Sequence, residues 1–214
     1  MRNALVSGGK SGARAAAPAR RGRHARVLRI IGGEWRGRRL RFPAAQALRP
    51  TPDRVRETLF NWLGSAVHGA RALDLFAGSG ALGLEALSRG AAHVTFVEQD
   101  APAAHELRAR LAEWQARDAR VVRADALDFL GGASAPFQLV FLDPPFDSDL
   151  LERSARALES GGWLAGSALI YAECPARRGL PPLPAAWRVL KAGQAGEVGY
   201  HLLAHASPTP TGSA

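Results

Sequence analysis

Apolar and polar positions alternate in two distinct ways along residues 72–203. Short apolar runs, typical of strands buried on both faces, are separated by segments whose apolar residues recur every three to four positions, as in helices. The predicted strands are 72–76, 93–98, 119–123, 137–142 and 169–173, and the predicted helices are 81–87, 101–116 and 148–158, with a short turn at 127–130. This alternation predicts an α/β fold in which a mostly parallel sheet carries helices on both faces.

Antiparallel strand pairs are predicted at both ends of the chain. Residues 187–191 and 197–203 form the last pair, and residues 27–42 contain two short extended runs separated by glycine-containing turns, which predicts a small hairpin. Trp35 in this hairpin is either part of its core or an exposed platform for a nucleic-acid base, and both interpretations are open. The arginines displayed on the hairpin are Arg36, Arg38, Arg39 and Arg41.

A helix is predicted between the hairpin and the first parallel strand. Pro52 suits the first helical position, Thr51 is placed to cap the helix, and apolar residues at helical spacing continue to about residue 67. The arginines outside its apolar stripe, for which a solvated face is the default expectation, are Arg49, Arg54 and Arg56. This segment precedes the first parallel strand closely, so it can help to cover a ligand bound there.

A glycine-rich turn follows the first parallel strand. Gly78, Gly80 and Gly83 have the G-x-G-x-x-G spacing, in the strand, turn and helix order that nucleotide-like cofactors need, although glycines also mark ordinary turns. Asp74 indicates which class of nucleotide-like cofactor binds at this turn. A carboxylate at the strand end repels the pyrophosphate of a dinucleotide and suits a ligand that carries an ammonium and a sulfonium. S-adenosylmethionine is such a ligand.

Acidic residues stand at the ends of four predicted strands, at Asp74, Glu98, Asp125 and Asp143. The carboxyl ends of parallel strands meet at one edge of a sheet, where four acids repel one another unless a ligand uses them. Glu98 lies 18 residues beyond Gly80, the interval at which an acid accepts hydrogen bonds from ribose hydroxyls. Asp125 either accepts from an adenine amino group or caps the helix that follows it, and both interpretations are open.

The segment Asp143-Pro144-Pro145-Phe146 is the most specific signal in the chain. Pro144 favours an extended conformation at Asp143, so the carboxylate and the Pro144 carbonyl can aim at one outward point. That corner would accept hydrogen bonds from an amino group, and Phe146 offers a flat face on which a planar base can stack.

Charge is distributed unevenly along the 214 residues. Residues 1–41 contain twelve Lys or Arg and one acid, whereas the rest of the chain is nearly neutral. Such a basic arm is an electrostatic handle for a polyanion, so RNA or DNA is the expected partner, although a transit peptide or a tail without function has the same composition. The single cysteine, Cys174, is compatible with a reducing cytoplasm, and nothing in the sequence supports a metal site or a membrane span.

The motifs around Asp74 and Asp143 resemble those of class I, Rossmann-like methyltransferases that modify exocyclic amino groups with S-adenosylmethionine. Longer segments, residues 29–37, 49–61, 80–89 and 161–165, closely resemble the bacterial 16S ribosomal RNA guanine-N2 methyltransferases known as the small-subunit methyltransferase D family. The resemblance covers about residues 29–203 and implies a seven-stranded sheet. It also implies a guanine in 16S rRNA as the acceptor, presented on an assembling small ribosomal subunit.

Two other functions are compatible with the same motifs. A DNA adenine-N6 methyltransferase would use the same corner for its amine, but the chain has no insertion large enough for a separate base-reading domain. A non-catalytic RNA assembly factor could bind S-adenosylmethionine only to stabilise its fold. A methyl-transfer assay separates the enzymes from the assembly factor.

The sequence thus predicts a cytoplasmic, monomeric protein in four parts. These are a disordered basic arm at 1–25, a hairpin extension at 26–48, a methyltransferase domain at 49–206 and a disordered tail at 207–214. The predicted catalytic residues are Asp143, Pro144 and Phe146, and the predicted cofactor-binding residues are Thr51, Asp74, Phe76, Gly78, Gly80, Glu98 and Asp125. The predicted RNA-binding residues are Arg36, Arg38, Arg39, Arg49 and Arg54.

Overall fold

The structure, a computed structural model, describes residues 26–42 and 51–206. The strands are β1 (Arg26–Arg29), β2 (Arg39–Phe42), β3 (Arg71–Asp74), β4 (His93–Val97), β5 (Ala119–Val122), β6 (Phe137–Leu142), β7 (Leu164–Pro175), β8 (Trp187–Ala195) and β9 (Val198–His205). The α-helices are α1 (Asp53–Leu63), α2 (Ala81–Ser88), α3 (Ala101–Glu113), α4 (Ala126–Leu130) and α5 (Leu150–Ser160), and a 3-10 turn (Gly64–Val67) follows α1.

A seven-stranded sheet forms the centre of the molecule, in the order β5-β4-β3-β6-β7-β9-β8. The first five strands are parallel, and β9 pairs antiparallel with both β7 and β8. The predicted mostly parallel sheet of seven strands is therefore confirmed. The chain reverses its direction of winding between β3 and β6, and in sheets of this kind ligands bind beyond the carboxyl ends of the strands at such a point.

Side chains of β6 show why helices cover both faces. Successive residues of a strand point to opposite faces, so Leu139 and Phe141 enter one core while Val140 and Leu142 enter the other. The first core contains residues of α1, α2 and α3, and the second contains residues of α4 and α5. A strand buried on both faces has no polar side, which accounts for the continuous apolar run in the sequence.

The small N-terminal sheet confirms the predicted hairpin. Its two strands, β1 and β2, are antiparallel, with Leu28 opposite Leu40. Both side chains are buried, and so is Trp35 in the connecting turn, which is 7% exposed and packs at 5.1 Å between ring centroids against Trp114. Trp35 is therefore core, and the alternative of an exposed platform for a base is wrong.

Several boundaries differ from the prediction, three of them for identifiable reasons. Helix α1 begins at Asp53 with Pro52 as its N-cap, and no side chain caps it, so the predicted capping role of Thr51 is wrong. The helix ends at Leu63, because Gly64 has a φ of 53°. Strand β7 begins at Leu164, five residues before the prediction, because its small and polar start lacks the apolar pattern of the remainder.

Candidate functional site

Asp74 lies at the carboxyl end of β3, beneath the glycine-rich turn. Its Oδ2 accepts a hydrogen bond of 3.0 Å from the Gly83 N–H, which joins the strand to the first turn of α2. The side chain is buried, and burial raises its pKa to about 7, opposed by the Gly83 hydrogen bond and reinforced by the negative charge of Glu98. Asp74 therefore supports the glycine-rich turn from beneath.

The glycine-rich turn has the close backbone packing that a nucleotide-like ligand requires. Gly80 has a φ of 77°, and a Cβ atom there would lie 2.6 Å from the Leu107 Cδ1. A Cβ atom at Gly83 would lie 2.2 Å from the Phe96 ring, so α2 can approach β4 only because this residue is glycine. The predicted strand, turn and helix order is confirmed, with the backbone of the turn at the sheet edge where the acids gather.

Glu98 follows β4 and closes the other side of the turn. Its Oε2 accepts a hydrogen bond of 2.7 Å from the Gly78 N–H, and its Oε1 accepts one of 2.7 Å from the Asp100 N–H. Each carboxylate oxygen can accept a second hydrogen bond, so Glu98 is fixed in place and still able to receive ribose hydroxyls. Its role in binding the cofactor stays a prediction.

Asp125 and Phe76 are the outer members of the predicted cofactor set. Asp125 is the N-cap of α4, and its Oδ1 accepts from the Leu127 N–H at 2.8 Å and from the Asp128 N–H at 3.3 Å. The capping interpretation is confirmed, and the adenine contact stays a prediction. Phe76 is half-buried against the second core.

The corner after β6 borders a cavity. Pro144 is buried, Phe146 is half-buried, and the Phe146 carbonyl accepts a hydrogen bond of 3.4 Å from Arg178 Nη1. The cavity has a volume of about 230 Å³ and is lined by residues of this corner, the start of α5 and the end of β7, including Pro145 and Glu173. A planar ring that entered it would meet Phe146 on one side.

Glu173, Tyr171 and Thr51 belong to this site, although the sequence interpretation assigned no role to Glu173 or Tyr171. Glu173 Oε1 accepts from the Tyr171 hydroxyl at 2.7 Å and from the Thr51 hydroxyl at 2.8 Å. Glu173 and Asp143 are neighbours, because each follows one of the paired residues Ala172 and Leu142. Burial, and then the charge of Glu173, raise the pKa of Asp143 well above its usual value. The sequence feature that could have indicated a role for Glu173 is its position as an acid at the end of an otherwise apolar predicted strand.

Arg56 is also placed differently from its prediction. It was expected on a solvated face, but its side chain is completely buried. Its guanidinium donates to the Arg29 carbonyl at 2.8 Å, to the Thr51 carbonyl at 3.3 Å and to Glu85 Oε2 at 3.3 Å. The residue is structural, because these bonds join α1 to the hairpin and to α2.

The hairpin arginines do not lie beside the acids. Trp35 N–H donates to the Ser88 Oγ at 2.9 Å and the Trp35 ring packs on Trp114, so the hairpin turn lies at the carboxyl ends of α2 and α3. Helices in such a fold run opposite to the strands, and these ends are therefore at the sheet edge away from the acids. Arg38 is placed over both indoles, at 6.0 and 5.3 Å from the ring centroids.

The remaining predicted RNA contacts lie on the surface or outside the described residues. Arg36, Arg39 and Arg54 are exposed, Arg54 being on the first turn of α1, and all three stay predictions as RNA contacts. Arg49 lies outside the described residues, as do the predicted arm at 1–25 and the tail at 207–214.

Two negative findings apply to residues 26–42 and 51–206. No helix within these ranges is long and apolar enough to cross a membrane. No group of three or more His, Cys, Asp or Glu side chains in the same ranges is arranged to hold a metal ion.

The sheet order, glycine turn and strand-end acids are those of the class I S-adenosylmethionine-dependent methyltransferases. Solved structures with this fold include a putative methyltransferase from Escherichia coli, 50% identical with a TM-score of 0.79, which covers 85% of this chain and 99% of that one. A putative methylase from Haemophilus influenzae is 42% identical with a TM-score of 0.72, and the coverage is again 85% and 99%.

The family model described as Conserved hypothetical protein 95 matches residues 28–204. The Ribosomal RNA small subunit methyltransferase D of Escherichia coli K12 is 52% identical over 175 residues, covering 82% of this chain and 88% of that protein. Its namesake in Haemophilus influenzae is 45% identical over 179 residues, covering 82% and 92%. The chain therefore belongs to the small-subunit methyltransferase D family of class I methyltransferases.

Proposed function

We propose that the protein uses S-adenosylmethionine to methylate the exocyclic N2 amine of a specific guanine in 16S rRNA. It acts as a monomer in the cytoplasm, on an assembling small ribosomal subunit. The observation that carries the proposal is the Asp143-Pro144-Pro145-Phe146 corner, whose last three residues line a cavity at the same sheet edge as the glycine turn. The names of the similar proteins from Escherichia coli and Haemophilus influenzae support small-subunit rRNA as the substrate.

The residues around the glycine turn fit the proposed donor. Gly80 allows the turn its positive φ and its close packing on Leu107, and both Glu98 oxygens are held by N–H groups with acceptor capacity to spare for ribose hydroxyls. Asp74 supports the turn from below, and Asp125, Phe76 and Thr51 would complete the binding surface. When bound, S-adenosylmethionine supplies an electrophilic methyl group.

The corner after β6 would position the acceptor. The guanine N2 amine is a poor nucleophile because its lone pair is delocalised into the ring. Hydrogen bonds from the amine to Asp143 and to the Pro144 carbonyl would hold its protons and leave the lone pair free to attack, while Phe146 stacks on the base. Most of the rate enhancement would thus come from orientation and from charge stabilisation, and the surplus proton leaves to Asp143 or to water.

Nucleoside mass spectrometry tests the proposal directly. The protein would be incubated with isotope-labelled donor and either purified 16S rRNA or small-subunit particles that lack the modification. Labelled N2-methylguanosine at one position supports the proposal, and a better yield on particles supports the assembling subunit as substrate. Labelled N6-methyladenosine would instead support an adenine methyltransferase. Donor binding without any transfer would support an assembly factor.

Glu98 provides an independent test of the donor site. Glu98→Ala removes the acceptors for ribose, so we expect donor binding to weaken by about 1–3 kcal/mol in calorimetry. Glu113→Ala is a suitable control, because Glu113 is an exposed residue paired with Arg110 on α3. Heat from NAD with none from S-adenosylmethionine would contradict the assignment of the cofactor.

A further inference from the structure

Glu173 is a buried acid for which the proposed mechanism has no use. It lies near the end of β7, the strand next to β6, and it is 3% exposed. Among the ion pairs of residues 26–42 and 51–206, none involves Glu173 or Asp143. A buried carboxylate without a cation is costly, so its hydrogen bonds have to account for its position.

The hydrogen bonds of Glu173 show that it is an acceptor. The hydroxyls of Tyr171 and Thr51 both donate to its Oε1, at 2.7 and 2.8 Å, and both of these bonds favour an ionised Glu173. Thr51 is 122 residues away from Glu173 in the sequence and reaches it from the segment before α1, so the fold brings these two residues together. Tyr171 lies on the same strand, two residues earlier and therefore on the same face.

Asp143 and Glu173 directly follow Leu142 and Ala172, which are paired across the parallel strands β6 and β7, so the two carboxyl groups are neighbours. A hydrogen bond between them requires a proton. Two ionised carboxylates are both acceptors and cannot hydrogen-bond to one another, so one of the two must carry a hydrogen. Since Glu173 is the acceptor of two hydroxyls, the proton belongs on Asp143. The titratable groups that face Asp143 are Glu173 and Tyr171 from β7 and Asp74 from β3. The negative charges of Glu173 and Asp74 both raise the pKa of Asp143 and favour its protonated form, against a smaller opposing effect of the Thr51 hydroxyl.

We propose that Glu173 is a positioning residue, which accepts the proton of the Asp143 carboxyl group in a hydrogen bond and thereby holds the carbonyl oxygen of Asp143 toward the acceptor amine. Asp143 then presents to the amine a neutral, fixed acceptor that resembles the side-chain amide of asparagine. Because Asp143 is already protonated, the surplus proton of the methylated amine leaves to water. Together the two carboxyl groups carry one negative charge, which is located on Glu173. This charge stabilises the positive charge that develops on the amine. The direction toward the amine rests on the proposed function, whereas the shared proton does not.

The shared proton can be tested on the protein alone. Carboxyl carbon NMR with labelled aspartate, assigned by the signal missing in Asp143→Asn, follows the ionisation of Asp143. We expect Asp143 to remain protonated at neutral pH in the natural protein and to ionise at lower pH in Glu173→Gln, because a glutamine amide donates to Asp143. An Asp143 that ionises in the ordinary range of an exposed aspartate in both proteins would overturn the inference, whatever the enzyme does with RNA.

The positioning role can be tested by methyl transfer to small-subunit rRNA. Asp143→Asn should keep kcat within about tenfold, because asparagine can donate to Glu173 and still present a carbonyl oxygen. Glu173→Gln should lower kcat by about ten- to a hundredfold with the donor KM unchanged, and Glu113→Gln on the surface of α3 should have no effect. In the natural protein kcat should fall as rising pH removes the shared proton, and this fall should be absent in Asp143→Asn.

A second variant covers the case in which Glu173→Gln does not fold. Tyr171→Phe removes one donor to Glu173 and keeps the buried ring, so we expect a severalfold lower kcat and a fall in kcat that begins at a different pH. A merely structural role would leave the pH profile unchanged. If Asp143→Asn were as inactive as Asp143→Ala, the positioning role would be wrong. If the natural protein modified no RNA, the proposed function would fail while the NMR result on the proton would stand.

Discussion

Two clusters of buried charge in this protein are built in opposite ways. The hairpin anchor, which consists of Arg56, Glu85 and Arg89, matches a carboxylate with two guanidiniums at 3.3 and 2.8 Å. Glu85 also accepts from the backbone N–H groups of Ile31 and Gly32, at 2.9 and 2.8 Å. The strand-end acids, which consist of Asp74, Asp143 and Glu173, have no such cation among the described residues.

The difference separates a structural cluster from a functional one. In the hairpin anchor the carboxylate of Glu85 is neutralised by two guanidinium groups of the same protein. The role of the cluster is therefore to hold the hairpin on α1 and α2. In the strand-end acids the repulsion is relieved by protons, as the raised pKa values of Asp74 and Asp143 indicate. Perturbed pKa values of this kind gather at sites that await a ligand or a reaction.

The largest expected effect is on the hairpin anchor. Glu85→Ala leaves the guanidinium of Arg56 buried without its carboxylate and removes the acceptor of two backbone N–H groups. We expect a loss of about 3–5 kcal/mol in the free energy of unfolding, measured by urea denaturation. Glu113→Ala, which breaks an exposed ion pair on α3, should cost less than about 1 kcal/mol. Equal losses in the two variants would mean that the anchor does not hold the hairpin.

Asp143→Ala should have the opposite profile. The hydrogen bond from the acceptor amine strengthens as the amine becomes tetrahedral and positive, so the residue matters in the transition state more than in binding. We expect kcat to fall on the order of 10² to 10³ with donor affinity retained. Stability should not fall as in Glu85→Ala, and near-normal turnover on small-subunit RNA would contradict the catalytic assignment.

Asp74 should make the stability of the protein depend on pH. Its folded-state pKa of about 7 lies above its ordinary value, so between pH of about 4 and 7 the folded protein keeps a proton that the unfolded chain has lost. Stability should therefore fall as the pH rises through this window. Asp74→Asn keeps an acceptor for the Gly83 N–H and has no charge to bury.

Paired denaturation curves check this expectation for Asp74. The variant should be more stable than the natural protein at pH of about 8, by up to about 4 kcal/mol, and the advantage should vanish near pH 4. A constant difference between the two proteins at all pH values would show that Asp74 does not titrate in this window.

The smallest effect concerns the exposed arginines of the hairpin. Arg36→Ala combined with Arg39→Ala should leave stability unchanged and should reduce the slope of log K against log salt for RNA binding by about one for each phosphate that the variant no longer neutralises. Arg188→Ala on β8, also exposed, serves as the control. An unchanged slope in the double variant would show that the hairpin, which lies at the sheet edge away from the acids, does not touch RNA.

Sequence patterns predict this fold well because strands buried on both faces and amphipathic helices leave periodic signals. The strand from Phe137 to Leu142 agrees with its prediction to the residue, and the spacing of the glycines is enough to identify the turn before α2. The start of β7 has no such signal, because residues 165–168 are small or polar and lie at a register shift between two residues paired with β6, Leu164 and Leu169. Pairing between distant segments has no local signature.

Charged side chains are harder to predict, for a related reason. Charged residues are mostly exposed, so the sequence favours a solvated Arg56, and only its partners on α2 and β1 reverse that expectation. Glu173 was missed because its importance lies in Tyr171, Thr51 and Asp143, which reach it from three segments. The sequence shows where a charged residue lies along the chain, whereas the tertiary structure determines which groups neutralise it or hydrogen-bond to it.

The hydrogen bond from Thr51 to Glu173 also has a consequence for the biosynthesis of the enzyme. Its two ends are separated by 122 residues, and at roughly 5–20 residues per second the ribosome takes roughly 6–24 seconds to synthesise that interval. Until β7 has been synthesised, the Thr51 hydroxyl lacks the carboxylate to which it donates. A nascent chain can therefore complete its glycine turn before the corner after β6 has its full set of hydrogen bonds.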